Sequence, residues 1–294
     1  MGARDPLSDV TTASAANGDP QSFELSARDF HRVRRIIFEL AGIDLNPSKH
    51  NMVCSRLLRR LRARGIESFA SYLDRLEGDP QFTVEERQEF VNALTTNLTS
   101  FFREHHHFPV FAEFLRRRPA AGPPRVWCAA ASTGEEPYSI AMTVIETLGE
   151  NSSARLLATD IDTQVLASAE RGVYSDQAAQ VCGTPRTRRF FLRGTGPNAG
   201  MVRVRPEVAR MVAFGQVNLL EPDWPLVKRF GVPLDVVFCR NVMIYFNKGT
   251  QRDVLQRIAA VLKPGGLLFA GHSENFTDCR EWFALRGKTV YERL

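Results

Sequence analysis

Four short segments carry side chains able to hold a small organic ligand. The first, CAAASTGEEPYS at residues 128–139, runs through alanines and serine to a lone glycine, Gly134. Side chains this small let a ligand approach the backbone closely. The full G-x-G-x-x-G spacing is absent, which disfavours a pyrophosphate cradle. Glu135 could pair with a ligand ammonium group, or cap the helix that starts near Tyr138. In the second segment, LLATDID, Asp160 lies 26 positions after Gly134. An acid near this spacing meets ribose hydroxyls in nucleotide-binding folds, and a carboxylate has acceptors for both hydroxyls. Asp162 reads instead as the N-cap of the next helix. In the third, FGQVNLLE, Asn218 could read an adenine edge while Leu219 packs on its face, although asparagine is also a common turn residue. The fourth, LDVVFCRNVMIYF, sets Arg240, Asn241 and Tyr245 just past an apolar run. A nucleoside cofactor without phosphates, such as S-adenosylmethionine, suits this set.

Elements must bring these segments together, and the apolar pattern supplies them. Beyond about residue 120, strand-like and helix-like stretches alternate. Strands are predicted at 125–129, 156–159, 212–217, 235–239, 267–270 and 289–292, and helices at 138–148, 163–170 and 250–262. Such alternation gives an α/β fold with a mostly parallel sheet covered on both faces. Its ligands bind beyond the carboxyl ends of the strands, where all four segments fall. In FFLRGTGPNAGMVRVR, residues 190–205, two alternating runs flank Gly194, Gly196 and Gly200. That pattern predicts an inserted β-hairpin.

Upstream the period is helical, with Phe30, Val33, Ile36, Ile37 and Leu40 on one face. Four helices are predicted: one stopped by Gly42, one over 49–64, one capped by Ser68 and one over 84–98. The expected organisation is a disordered tail at 1–22, an all-helical domain at 23–98 and a linker at 99–123. An α/β domain at 124–294 follows, with an inserted antiparallel β-subdomain at about 186–210.

The 294 residues suit two domains. Five cysteines lack metal or C-x-x-C spacing, which fits a reducing compartment. Cys128 and Cys239 sit in apolar runs and read as core. No run approaches the ~18 apolar residues of a membrane helix, and the polar first residues do not read as a signal peptide. A cytoplasmic protein is expected, without membrane insertion.

One further segment, TTNLTSFFREHHHFP at residues 95–109, is highly specific. With ASTGEEPYSIA, ATDID, NLL, FCRNVMIYF and LKPGGLLFAGHSE, it makes the chain closely resemble the chemotaxis receptor methyltransferases, from about Leu25 to the C-terminus. The resemblance implies methyl transfer from S-adenosylmethionine to glutamate side chains of chemoreceptors, in sensory adaptation. It implies cofactor contacts at Asn97, Thr99, Arg103, Glu135, Asp160, Asn218, Leu219, Arg240 and Asn241, and a catalytic centre at Arg103 and Tyr245. It also implies a Rossmann-like methyltransferase domain behind a small helical domain, the layout already reached from periodicity.

The chemistry is consistent with these residues. A glutamate with a pKa of about 4.3 is ionised near neutral pH, so no general base is needed. Arginine can hold a carboxylate through paired donors, and a tyrosine hydroxyl can orient one without neutralising it. Between Arg32 and Arg64 nine basic residues face two acidic ones. Arg56, Arg59 and Arg60 share a predicted helix face and are candidates for docking the acidic methylation helices of receptors. The glycine-containing hairpin is a candidate tether for a pentapeptide at receptor C-termini, by strand addition. His105, His106 and His107 would diverge by ~100° per position on a helix and could not share a metal, so no metal site is expected. His272 could line the pocket or bond backbone.

Two other readings compete. The arginine-rich helix invites a nucleic-acid methyltransferase, but the Asn/Asp-Pro-Pro-aromatic segment of base methylation is replaced by Arg-Asn-Val-Met, and Cys239 lies within an apolar run. A receptor-binding adaptor without catalysis is opposed by Arg103, Asp160 and Tyr245 being in place. No nucleic-acid partner is expected, and a monomer is the simple expectation.

Overall fold

The computed structural model describes residues 24–118 and 122–294. The tail expected at 1–22 and part of the linker near residue 120 lie outside the described residues. The N-terminal part consists of α1 (Ala27–Ala41), α2 (His50–Arg64), α3 (Phe69–Gly78) and α4 (Pro80–Leu94). Local chemistry sets their ends. Ser26 accepts from the Asp29 amide ahead of α1, and Gly42 follows it at φ 68°. Ser68 caps α3, as its position predicts. The fourth helix departs from its predicted span of 84–98. Asp79 caps it and Pro80 opens it, so it starts one turn early and ends at Leu94. Residues 95–100 are thereby free of helix. Val33, Ile37, Leu57, Leu61, Tyr72 and Phe90 fill the core between these helices.

A connecting helix, α5 (His107–Arg117), precedes the alternating part. There β1 (Arg125–Cys128), α6 (Glu135–Leu148), β2 (Arg155–Asp160) and α7 (Thr163–Arg171) come first. A smaller unit follows, with β3 (Val173–Ser175), α8 (Asp176–Gln180), α9 (Thr184–Phe190), β4 (Phe191–Arg193), β5 (Met201–Val204) and α10 (Pro206–Ala209). The chain then returns through β6 (Val212–Gln216), α11 (Pro225–Gly231), β7 (Leu234–Phe238), α12 (Lys248–Val261), β8 (Leu262–Phe269), β9 (Phe283–Gly287) and β10 (Val290–Arg293).

Seven strands form one sheet in the order β6-β2-β1-β7-β8-β10-β9. The first five are parallel neighbours; β10 pairs antiparallel with both β8 and β9. Successive side chains of β1 enter opposite cores. Val126 and Cys128 meet Phe111 and Tyr138 on one face, while Trp127 meets Val254 and Ile258 on the other. Burial on both faces explains why these strands read as continuous apolar runs. From β1 the chain steps outward through β2 to β6, then resumes at β7 and β8 on the other side. A crevice opens where that direction reverses.

Two predicted boundaries change. The strand predicted from residue 267 starts earlier: β8 begins at Leu262 and accommodates the LKPGG glycines through a register shift against β7. The single last strand expected gains a partner, β9, whose mostly exposed FALRG sequence shows no alternation. The small sheet has the order β3-β5-β4. Its β4–β5 hairpin is the predicted one, while β3 comes from upstream of the expected insertion. A side chain at Gly194 would begin 2.1 Å from the Asn198 carbonyl oxygen, so the tight return requires glycine there.

Candidate active site

A cavity of about 440 Å³ occupies the crevice, a volume usual for small-molecule sites. One side consists of residues at the carboxyl ends of four parallel strands. Ala129 and Ala130 follow β1, Asp160 ends β2, Asn218 and Leu219 follow β6, and Arg240 and Asn241 follow β7. The other side comes from the helical part, through Lys49, Met52 and Arg56. Residues 94–99 run between the two. The early end of α4 is what allows this, because an extended segment reaches where a helix would have turned away.

Asp160 is buried and accepts from the Ser132 amide at 2.8 Å and the Asp162 amide at 3.0 Å. Burial pushes its carboxyl up to about 6, and these amides only partly offset that. Each oxygen keeps a free lone pair, so two further donors can be accepted. Gly134 backs this corner: a Cβ there would lie 2.6 Å from the Tyr174 hydroxyl.

The structure separates two arginines of like sequence rank. Arg240 is buried, and both of its terminal nitrogens are engaged. It donates to Glu136 at 2.7 Å and to the Arg103 carbonyl, and lies 3.3 Å from Glu104. Arg103 donates to the Leu98 carbonyl at 2.8 Å. Among the described residues no carboxylate pairs with it, so it brings a free cation to the cavity.

The loop bearing Arg103 is strained. Phe102 and Glu104 both have φ 52°, a left-handed conformation that costs non-glycine residues energy. Contacts at three of its residues hold it. Phe102 donates its amide to Ser139 Oγ at 2.9 Å. Arg240 holds the Arg103 carbonyl. Glu104 accepts from Asn241 Nδ2 at 3.2 Å and from the His272 amide at 3.2 Å, and meets His272 Nδ1 at 3.0 Å. Burial pushes the Glu104 carboxyl up, but the His272 hydrogen bonds and the Arg240 cation outweigh it and hold it at about 2. The facing loop is organised by Glu274, which accepts the amides of Gly271, Asn241, Val242 and Met243. Asn241, at φ 58°, depends on that carboxylate.

Of the residues singled out in the sequence, Asn97, Thr99, Arg103, Asp160, Asn218, Leu219, Arg240, Asn241 and Tyr245 all line the cavity. Several do so differently from the sequence reading. The Asn218 amide is spent on the Leu40 carbonyl at 2.8 Å and the Leu220 amide at 3.0 Å, so it ties the two domains together rather than facing outward as a reader of adenine. Asn97 likewise donates to Asp162 at 2.8 Å. Glu135 does not line the cavity; its carboxyl accepts from Thr133 Oγ1 at 2.6 Å. Its neighbour Glu136 lines the cavity instead, paired to Arg240. The Tyr245 hydroxyl has no protein partner among the described residues, and its carbonyl accepts the Asp44 amide at 2.8 Å.

The basic face of α2 also changes. Arg60 is locked to buried Glu86 at 2.7 and 2.9 Å, and Arg56 donates to the Thr95 carbonyl at the cavity. Only Arg59 of the three is exposed. The histidines do not all lie on a helix: residues 101–106 are turn, and α5 starts at His107. His106 and His107 therefore gather with Glu104, their ligating atoms within 4.8 Å. Arg240 lies 3.3 Å from Glu104, so a cation already faces that carboxylate. The three glycines, Gly194, Gly196 and Gly200, lie on the hairpin and not at the cavity. Sequence reasoning missed Glu104, Glu136 and Glu274; the one hint for Glu104 was its adjacency to Arg103 in FFREH.

The residues fit S-adenosylmethionine. Asp160 offers two acceptors in a dry corner, Ile161 and Leu219 offer apolar faces, Ala129 and Ala130 leave room, and Arg103 offers a cation. Fold and cavity define the class: a Rossmann-like, S-adenosylmethionine-dependent methyltransferase with a helical N-terminal domain. Residues 97–292 match the family described as CheR methyltransferase, SAM binding domain, and residues 28–95 match CheR methyltransferase, all-alpha domain. The chemotaxis protein methyltransferase of Klebsiella aerogenes is 53% identical over 272 residues, covering 92% of this chain and 91% of that one. That of Salmonella typhimurium is 52% identical, covering 92% of each. Chemotaxis protein methyltransferase 2 of Pseudomonas aeruginosa is 50% identical, covering 96% and 98%. The chain belongs to the CheR methyltransferase family. Among the described residues, no helix is long and apolar enough to cross a membrane.

Proposed function

We propose that this enzyme transfers the methyl group of S-adenosylmethionine to glutamate carboxylates of chemotaxis receptors, leaving glutamyl methyl esters and S-adenosylhomocysteine. The observation that carries the acceptor chemistry is Arg103: a guanidinium at the cavity that, among the described residues, no carboxylate pairs with. A glutamate is already ionised, so the protein has to position it rather than deprotonate it. The relatives named chemotaxis protein methyltransferases support a receptor as the protein acceptor.

The cofactor, when bound, supplies an electrophilic methyl on a sulfonium. Asp160 would accept the two ribose hydroxyls. Leu219 would pack on the base, with Asn97, Thr99, Asn218 and Asn241 closing around the rest. Arg103 would draw the acceptor carboxylate, or the cofactor's own, into line, and the Tyr245 hydroxyl would fix the attacking oxygen. In-line attack needs that oxygen ~3–3.5 Å from the methyl carbon. The acceptor loses its charge as the ester forms, so a tight ion pair would favour the ground state. A single tethered arginine suits orientation better than clamping. Arg240 serves as a positioning residue, since its donors hold the Arg103 loop.

Of Arg56, Arg59 and Arg60, Arg59 is the one left free for an acidic receptor helix, with Arg56 nearer the cofactor and Arg60 structural. The edge strand β4 is the surface on which a receptor C-terminal pentapeptide would add. Incubating the enzyme with labelled S-adenosylmethionine and receptor-containing membranes, against RNA and DNA, tests the reading. Alkali-labile label on the receptor is the expected result; label only on nucleic acid would overturn it.

A further inference from the structure

Two apolar side chains at the cavity have no evident folding role. Leu98 is 80% exposed and Ile244 is 48% exposed, yet both line the cavity. They come from different parts of the chain, the extended segment after α4 and the single 3-10 turn Met243–Tyr245. Each is coupled to a residue assigned to the chemistry. The Leu98 carbonyl receives Arg103 Nη1 at 2.8 Å, and Ile244 directly precedes Tyr245. Isolated exposed aliphatics are common on any surface. Two of them bordering one cavity, each attached to a candidate catalytic residue, point to something that covers them.

We propose that Leu98 and Ile244 form an apolar rim that docks the acceptor segment of the substrate. The occupant is an amphipathic helix whose glutamate passes between them toward Arg103 and Tyr245. The inference rests on the proposed acceptor chemistry and adds how an acceptor site is selected. A glutamate side chain is short, so its backbone must come close to the mouth, and its neighbours must touch the rim. On a helix those neighbours are the residues three and four positions away. Small or apolar residues there would bury Leu98 and Ile244. A charged residue there would lose hydration against them without gaining a partner. The free cation of Arg103 lines the same cavity, so a negative charge is welcome beside it and unwelcome against the apolar rim. The rim thereby selects among glutamates of similar local charge.

The test uses the full-length enzyme with receptor-containing membranes. Leu98→Ser and Ile244→Ser should each raise the KM for receptor by about 5- to 30-fold, with the double variant near the product of the two. Calorimetric affinity for S-adenosylhomocysteine should stay within twofold of wild type. Leu98→Met, which keeps the apolar bulk, should restore a near-normal KM. If KM for receptor is unchanged in an active enzyme, the rim is wrong. The same holds if cofactor affinity falls in step with KM, since the two residues would then serve the cofactor. If wild-type enzyme puts no alkali-labile label on receptor, the acceptor reading fails and the rim with it.

Discussion

Arg103 and Arg240 sit at the same cavity yet should fail differently. Arg103 touches nothing charged, so Arg103→Ala should leave folding intact and reduce the methylation rate by at least ~10²-fold at saturating cofactor, as expected when an orienting group is lost. Arg240→Ala removes one partner of a buried cluster. It leaves Glu136 and Glu104 uncompensated, which should cost about 3–5 kcal/mol in denaturant unfolding. Comparing melting curves of the two variants separates the roles. Asp160 adds a pH signature. Its carboxyl is held at about 6 by burial, and ribose hydroxyls donate best to the ionised form. Affinity for S-adenosylhomocysteine should therefore fall by up to tenfold per unit as pH drops below about 6. Asp160→Asn should bind weakly at every pH with a flattened profile. An equally steep profile in that variant would assign the titration to another group.

At the scale of elements, the critical piece is the turn over residues 101–106 that presents Arg103. Two left-handed residues on either side of Arg103 mean that this loop does not hold its own shape. Glu104 supplies much of the restraint. Its folded pKa of about 2 lies below its ordinary value of 4.5. The stability it contributes is thus present above about pH 4.5 and is lost as pH falls toward 2. Glu104→Gln should lose roughly 1–3 kcal/mol at neutral pH and show a shallower acid dependence between those limits. Because the loop loosens while Asp160 is untouched, kcat should drop more than cofactor affinity. A variant with unchanged kcat would show that Arg103 is positioned without Glu104. The same scale explains what the periodicity missed. Residues 95–98, Thr-Thr-Asn-Leu, hold no glycine or proline to stop a helix and so read as its continuation, but the cap at Asp79 and the proline at 80 fix α4 earlier.

For the molecule as a whole, the cavity exists only because the helical domain is docked on the sheet's carboxyl edge. A set of hydrogen bonds spans the junction, and the following are among them. Thr95 and Asn97 donate to Asp162, Asn92 to Thr163, Gln88 to the Ile161 carbonyl, Asn218 to the Leu40 carbonyl, and the Asp44 amide to Tyr245. Asp162 is the densest node, since it also caps α7. Asp162→Ala should cost about 1–2 kcal/mol as a lost cap and should additionally weaken cofactor binding, although Asp162 is absent from the cavity lining. Hydrogen exchange should rise in residues 95–99 of the variant. Retained affinity with unchanged exchange there would show that docking is set elsewhere.

The sequence by itself determined the elements and the order of the site segments. Strand and helix periods differ, so alternation from residue 125 onward defined a parallel sheet, and its strand ends had to carry the ligand. Asp160 and Arg103 were legible because a lone acid at a strand end and the FFREH segment are local patterns. The engagement of each group was settled only by the tertiary structure. Asn218, Asn97 and Arg60 have the residue types of a binding site, but partners 178, 65 and 26 positions away consume their donors. Glu104, Glu136 and Glu274 became visible only with their long-range partners in place. Charge compensation depends on distance in space, which sequence spacing does not encode beyond a turn or two. That is why two arginines of equal standing in the sequence resolve into one buried strut and one free cation.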